Sequence, residues 1–193
     1  ATRLGSTADF KTQEFDAFHE QLEASIRTNG VLLLAVEPRS LARAPAALKA
    51  RYGVEPFNVT AKLITAMRSA AEDMNIDWTF LLKVDALDAG SADRKQLAKL
   101  VDRALDAIWH PVVDGTQPLL LTDIAPLARY DSLDRIERLT DLAIARPAAR
   151  WILVPRQLSA GPPTLEGQPV PLGAAGWTDL PPSLVGRPRA AAG

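Results

Sequence analysis

The sequence predicts a three-layer α/β domain: a mostly parallel sheet of four to five strands flanked by helices, with a Pro-rich C-terminal extension. Three observations lead there. Four short apolar runs each stop at a polar or charged residue: VLLLAVEPR (Val31 to Arg39), PFNVT (Pro56 to Thr60), PLLLTD (Pro118 to Asp123) and WILVPR (Trp151 to Arg156). Helical periodicity fills the intervals between them, as expected when helices connect parallel strands. The length, 193 residues, suits one domain, or one domain with a long tail.

Each element has a local reason. Residues 1–10 read as a flexible lead-in. From Lys11 to about Thr28, Phe15, Phe18, Leu22 and Ile26 recur at three and four, which makes one apolar helix face. Asn29-Gly30 stops that helix. Val31–Val36 is continuously apolar, the pattern of a strand covered on both faces. A helix follows, with Pro45 in its first turn, Gly53 as its C-terminal cap, and Leu41, Leu48 and Tyr52 toward the sheet. Phe57–Val59 is a short second strand. Thr60 then N-caps a helix carrying Leu63, Ile64, Met67, Ala71 and Met74.

Trp78–Leu87 has two readings. Asp77 can cap a helix with Trp78, Leu81 and Leu82 inward, or WTFLLKV can be a buried strand; few β-branched residues favours the helix. Ser91 caps a helix with a stripe of Leu97, Leu100, Val101, Leu105 and Ile108, ending near Trp109-His110-Pro111. Leu119–Thr122 is the third strand. Asp131-Ser132 starts a helix with Leu133, Ile136, Leu139 and Leu142 inward, and Trp151–Val154 is the fourth strand. The α/β domain thus spans residues 11–157. Residues 158–185 form a Pro/Gly-rich extension, with a hairpin around Glu166-Gly167 on a sheet edge. Residues 186–193 read as a disordered tail.

Composition narrows the function classes. Hydrophobic residues make up 47% and charged residues 23%, ordinary values for a soluble globular protein. Folding at this length buries roughly 70% of the surface of the unfolded chain. A net charge of −1 gives no strong field for nucleic acid or a membrane surface. The sequence has no cysteine, which removes disulfides, thiolate nucleophiles and Cys-type zinc sites and agrees with a cytoplasmic protein. No apolar stretch is long enough to cross a bilayer, and no signal peptide is visible. The polar start at Ala1, without Met, reads as a piece of a longer polypeptide.

Parallel strands bring their carboxyl ends to one edge, where ligands gather in this architecture. Glu37, Arg39, Asp123, Arg129 and Arg156 fall at or just beyond those ends and form the candidate ligand- or partner-binding set. Two carboxylates and guanidinium groups can hold a phosphate, a metal or a partner. The competing reading is that such residues cap helices and pair with each other. PLLLTD resembles the strand-then-acid pattern that positions Mg²⁺ in P-loop nucleotidases, but GxxxxGK[ST] is missing. The first strand leads instead into Glu37-Pro38-Arg39, where a glutamate repels phosphate. GxGxxG and GxSxG are also absent. His19 reads as solvated and His110 as a helix-end residue. Asp85, Asp88 and Asp93 read as capping residues around Gly90-Ser91, too irregular for a Ca²⁺ loop. The four tryptophans lie far apart and read as packing residues rather than a base-stacking platform.

Four stretches carry a family resemblance: VLLLAVEPRSLARA, IDWTFLLKVDALDAGSADRKQLAKLV, PLLLTDIAPLARYDSLDRIERL and RWILVPRQLSAGPPTLEGQPVPL. Over about residues 20–180 the chain resembles the C-terminal region of large proteins in Pgl/BREX phage-defence systems. The serine/threonine kinase component (PglW-like) comes first and the ATPase component (PglY-like) second. The resemblance implies a role in restricting phage and, as partners, the other protein components of the same system. The sequence holds no glycine-rich kinase loop, HRD or DFG, so kinase activity does not carry over to these residues. The leading expectation is a non-catalytic accessory or interaction domain of a larger defence protein, with no cofactor evident and no catalytic residue. The alternative is a degenerate P-loop-like domain that binds or hydrolyses nucleotide at the strand ends, and only there would ATP and Mg²⁺ enter.

Overall fold

The computed structural model describes residues 7–156, 161–171, 173 and 176–186. Along the chain lie α1 (Thr7–Arg27), β1 (Val31–Val36), a 3₁₀ turn (Pro38–Ser40), α2 (Ala44–Tyr52), β2 (Glu55–Asn58), α3 (Val59–Asp73), α4 (Trp78–Asp85) and α5 (Ala92–Asp114). Then come β3 (Leu119–Thr122), α6 (Ala125–Arg129), α7 (Asp134–Thr140), β4 (Arg150–Pro155), β5 (Thr164–Leu165), β6 (Gln168–Pro169), β7 (Thr178–Asp179) and α8 (Pro182–Val185). Five strands form one sheet in the order β2-β3-β4-β1-β7, and all its pairings are parallel.

Side-chain alternation divides the apolar strands between two cores. Leu33, Leu119, Leu121, Ile152 and Val154 face one layer, with Leu63 and Met67 of α3, Val101 and Leu105 of α5, and Ile136 of α7. Leu34, Val36, Leu120, Trp151 and Leu153 face the other, with Leu22 of α1, Leu48 of α2 and Val185 of α8. Burial on both faces explains why VLLLAV, LLLT and WILV lack polar alternation. The three-layer parallel architecture is the one the sequence predicts, with five strands.

Helix ends follow the expected chemistry in part. Asn29 takes a left-handed φ of 52° after α1, and Gly53 (φ 70°) caps α2. Asp77 and Ser91 accept hydrogen bonds from the backbone N–H groups of Thr79 and Arg94, so residues 78–85 are helical. The second strand ends earlier than expected because Asn58, not Thr60, is the cap. The Asn58 side chain accepts from the Ala61 N–H at 2.8 Å, and Val59 is already helical.

Helix α5 runs through Pro111 to Asp114 instead of stopping near Trp109-His110-Pro111. The donor that proline lacks would have served Ala107, an exposed residue whose carbonyl water can reach. Residues 125–129 form α6, which the sequence reading did not separate, and α7 begins at Asp134 rather than at Asp131-Ser132. Leu82 and Leu142, expected inward, are exposed, and so are Ile64 of α3 and Met74 at its C-terminal end. The buried stripe of α3 is Val59, Leu63, Met67 and Ala71, α4 buries Leu81 and Val84, and α7 ends before Leu142.

The hairpin does turn at Glu166-Gly167, both with positive φ as a two-residue turn requires. It stands as a separate two-stranded sheet, while β7 takes the edge beside β1. Of the expected lead-in over residues 1–10, residues 1–6 lie outside the described residues, and α1 begins at Thr7. Residues 187–193 of the expected tail also lie outside them.

Candidate functional site

All five parallel strands end at one edge of the sheet. There, the chain leaves β1 toward α2 on one face and β4 toward the hairpin on the other, since Leu48 packs in one core and Leu165 in the other. Such divergence marks the usual ligand crevice of an open α/β sheet. The strand-end residues resolve into separate local sets. Glu37 pairs with Arg39, two residues away. Asp123, at a left-handed φ of 49°, accepts a hydrogen bond from the Asn58 amide, and its carbonyl accepts from Thr60 Oγ1 at 2.6 Å. Arg156 binds both Asp179 oxygens, lies over the Trp177 ring at 5.5 Å and donates to the Gly161 carbonyl at 3.4 Å. Its side chain is only 8% exposed, and it ties the extension and β7 to the end of β4.

Arg129 goes elsewhere. It donates to Asp85 Oδ2 at 2.8 Å, at the end of α4. Tyr130 donates its hydroxyl to Asp85 Oδ1, and Arg94 of α5 sits 3.4 Å from the same oxygen while covering the Tyr130 ring at 4.4 Å. Asp85 is thus the hub of a four-residue cluster, not a capping residue. Burial alone would raise its pKa, but hydrogen bonds from Tyr130 and Arg129 and the charges of Arg129 and Arg94 outweigh that and hold it below the ordinary aspartate value. Tyr130 is pushed up to about 12, first by burial and then by its bond to Asp85 and that carboxylate's charge. Nothing local in the sequence marks this set, because Asp85 and Arg129 are 44 residues apart.

The cluster rims an apolar pocket of about 230 Å³ between α3, α4, α5 and α6, lined by Leu63, Ile64, Met67, Trp78, Leu82 and Val101 among others. On the far side of α4 a second groove of about 290 Å³ runs against α5, with Phe80, Val84, Leu97 and Leu100 in its walls. Leu81 reaches both hollows. Helix α4 therefore stands as a ridge with a hollow on either flank. Phe80 and Leu82 on it are 53% and 54% exposed, and Ile64, Met74 and Leu87 around it are exposed as well. Met74 and Phe80 line one hollow and Ile64 and Leu82 the other, so exposed apolar side chains flank α4 on both sides, an interaction-type surface rather than scattered exposure.

No group of three or more His, Asp or Glu side chains among the described residues is placed to hold a metal ion. His19 Nδ1 lies 3.0 Å from the Tyr52 hydroxyl, so it is partnered rather than simply solvated. His110 lies within α5, 3.5 Å from Asp114. Every buried side-chain nitrogen or oxygen among the described residues has a hydrogen-bond partner.

No family model and no solved structure matches the chain. Among curated proteins, it is 29% identical over 178 residues to the probable kinase PglW of Streptomyces coelicolor, an alignment covering 86% of this chain. The chain spans 11% of the length of that relative. The similarity supports a PglW-like region, the first of the two components that the sequence resembles.

Proposed function

We propose that this chain is a non-catalytic interaction domain of a larger Pgl-type phage-defence protein, and that it docks another protein component of the same system. The observation that carries this reading is the α4 ridge, where Phe80 and Leu82 are more than half exposed between two apolar hollows. Soluble domains rarely leave such a patch uncovered without a partner for it. The similarity to a probable kinase PglW supports the setting. The sequence itself contains no glycine-rich kinase loop, HRD or DFG, so catalysis is assigned to other parts of the parent protein.

A phage-plating assay tests it. The full-length gene carrying Phe80→Asp with Leu82→Asp replaces the wild type in the host. Both positions are exposed, so the variant should keep its circular dichroism and thermal midpoint while phage restriction falls at least tenfold. Unchanged restriction refutes the proposal. Calorimetry with ATP, GTP and Mg²⁺ addresses the nucleotide alternative. In that reading Asp123 and Arg156 would have to leave Asn58 and Asp179 to meet a ligand, and saturable heat abolished by Asp123→Ala would replace the interaction reading with it.

A further inference from the structure

The groove between α4 and α5 combines apolar walls with two cations toward one end and an acid at the other. Its walls are apolar: Phe80 and Val84 from α4, Leu97 and Leu100 from α5. Its α5 rim carries Lys99 and Arg103. The arginines of α5, α6 and α7 elsewhere in this layer pair with acids: Arg94 and Arg129 with Asp85, Arg135 with Asp102 and Asp106, Arg138 with Asp134, whereas Lys83 of α4 and Lys95 of α5 make no ion pair among the described residues. Lys99 and Arg103 make no ion pair or hydrogen bond among the described residues, although Asp102 and Asp106 lie on the same helix. They are also four apart, so two like charges face each other on one helix surface, an arrangement that costs helix stability. At the other end of the groove stands Asp93, in the first turn of α5. From Asp93 to Arg103 the helix rises about 15 Å, the length of about ten helical residues.

We infer that this groove receives an amphipathic helix of another protein component, with carboxylates at the end that lies over Lys99 and Arg103. The inference rests on the interaction reading above and names the occupant for one flank of the ridge. Apolar side chains at helical spacing fill the hollow beside Phe80 and Leu97, as in other helix-in-groove complexes. The carboxylates neutralise the two cations and relieve their mutual repulsion. Asp93 disfavours acid at the opposite end, so the charge gradient fixes which way the incoming helix runs.

The test places p-benzoylphenylalanine at Gln96, an exposed position on the groove, in the full-length protein in its native host. After irradiation, mass spectrometry identifies the captured segment. The expected product is one protein segment with apolar residues at helical spacing and at least two carboxylates at one end. Lys99→Glu with Arg103→Glu should lower its yield at least tenfold, while Lys62→Glu, an exposed position on α3 outside the groove, should leave it unchanged. A basic segment, nucleic acid, this chain itself or no cross-link overturns the inference, as does a yield indifferent to the charge reversal. If Phe80→Asp with Leu82→Asp abolishes phage restriction while Gln96 captures nothing acidic, the interaction reading stands and the groove assignment fails. If restriction is also unchanged, both fail.

Discussion

Arg150 offers the sharpest test of how this fold holds together. It is fully buried at the start of β4, with no carboxylate partner among the described residues. Its guanidinium donates instead to five backbone carbonyls: Pro111 and Val112 in the last turn of α5, Gly115 and Gln117 just beyond, and Ala149. Helices leave their last carbonyls without intrahelical donors, and here one side chain from the central sheet serves them. Burial and the nearby charge of Arg146 lower its pKa.

The cost of Arg150→Ala follows from which acceptors lose everything. Pro111 O keeps the Gly115 N–H and Ala149 O keeps the Leu119 N–H. The carbonyls of Val112, Gly115 and Gln117 have no other donor among the described residues. Three orphaned carbonyls at about 1–3 kcal/mol each, offset by release of a costly buried charge, give a net loss of about 3–5 kcal/mol. That is a large share of the roughly 5–15 kcal/mol typical of a domain. Urea unfolding followed by tryptophan fluorescence measures it, with the midpoint falling and the slope unchanged. Arg150→Lys should recover less than half of the loss, since an ammonium cannot span the same fork of acceptors. A cost below about 1 kcal/mol for Arg150→Ala would refute the capping argument.

Three further outcomes follow from neighbouring contacts. Gly115→Ala should destabilise the fold by about 1–3 kcal/mol in the same urea assay, because a Cβ there would lie 2.3 Å from the Pro111 carbonyl oxygen, a backbone atom that cannot swing away. Ser25→Ala should cost about 1–3 kcal/mol by leaving the buried Trp151 indole N–H, now 3.0 Å from Ser25 Oγ, without an acceptor. The two tyrosines, Tyr52 and Tyr130, should both ionise above the ordinary value of 10 in an alkaline absorbance titration, Tyr130 near 12. Since the folded pKa of Tyr130 exceeds its unfolded one, its contribution to stability is complete below about pH 10 and disappears as pH rises toward 12. Tyr130→Phe should remove that part of the alkaline loss, and a Tyr130 titrating normally would contradict the Asp85 bond.

The scaffold was legible where burial writes a simple pattern. Continuous apolar runs identified Val31–Val36 and Leu119–Thr122 to the residue, because strands covered on both faces admit little else. Asp77 and Ser91 were legible as caps because capping is a contact within three residues. Strand β7 was not, because two residues, Thr178 and Asp179, carry no apolar run and are held by Arg156 from 23 residues away. The Asp85 cluster was illegible for the same reason. Its members come from α4, α5 and the end of α6, and only the packing of those helices makes Asp85 a hub. Among the strand-end residues, the sequence placed the charges near one edge but not their partners, since Asn58 and Asp179 were not in the candidate set. The α4 ridge escaped because periodicity could not show that Leu82 faces away from the core.

The two-residue strand β7 has a consequence for how the polypeptide may be cut. It is the element that shields the outer edge of β1, pairing with Leu34 and Ala35, and the Leu180 N–H extends the cover to the Ala35 carbonyl. A chain truncated before Trp177 would present the backbone of VLLLAV, among the most apolar segments of the sequence, as an open template for another strand. Bare edges of this kind recruit further copies. Fragments ending between Arg156 and Trp177 should therefore precipitate or form β-rich oligomers, even though every large sheet strand is intact.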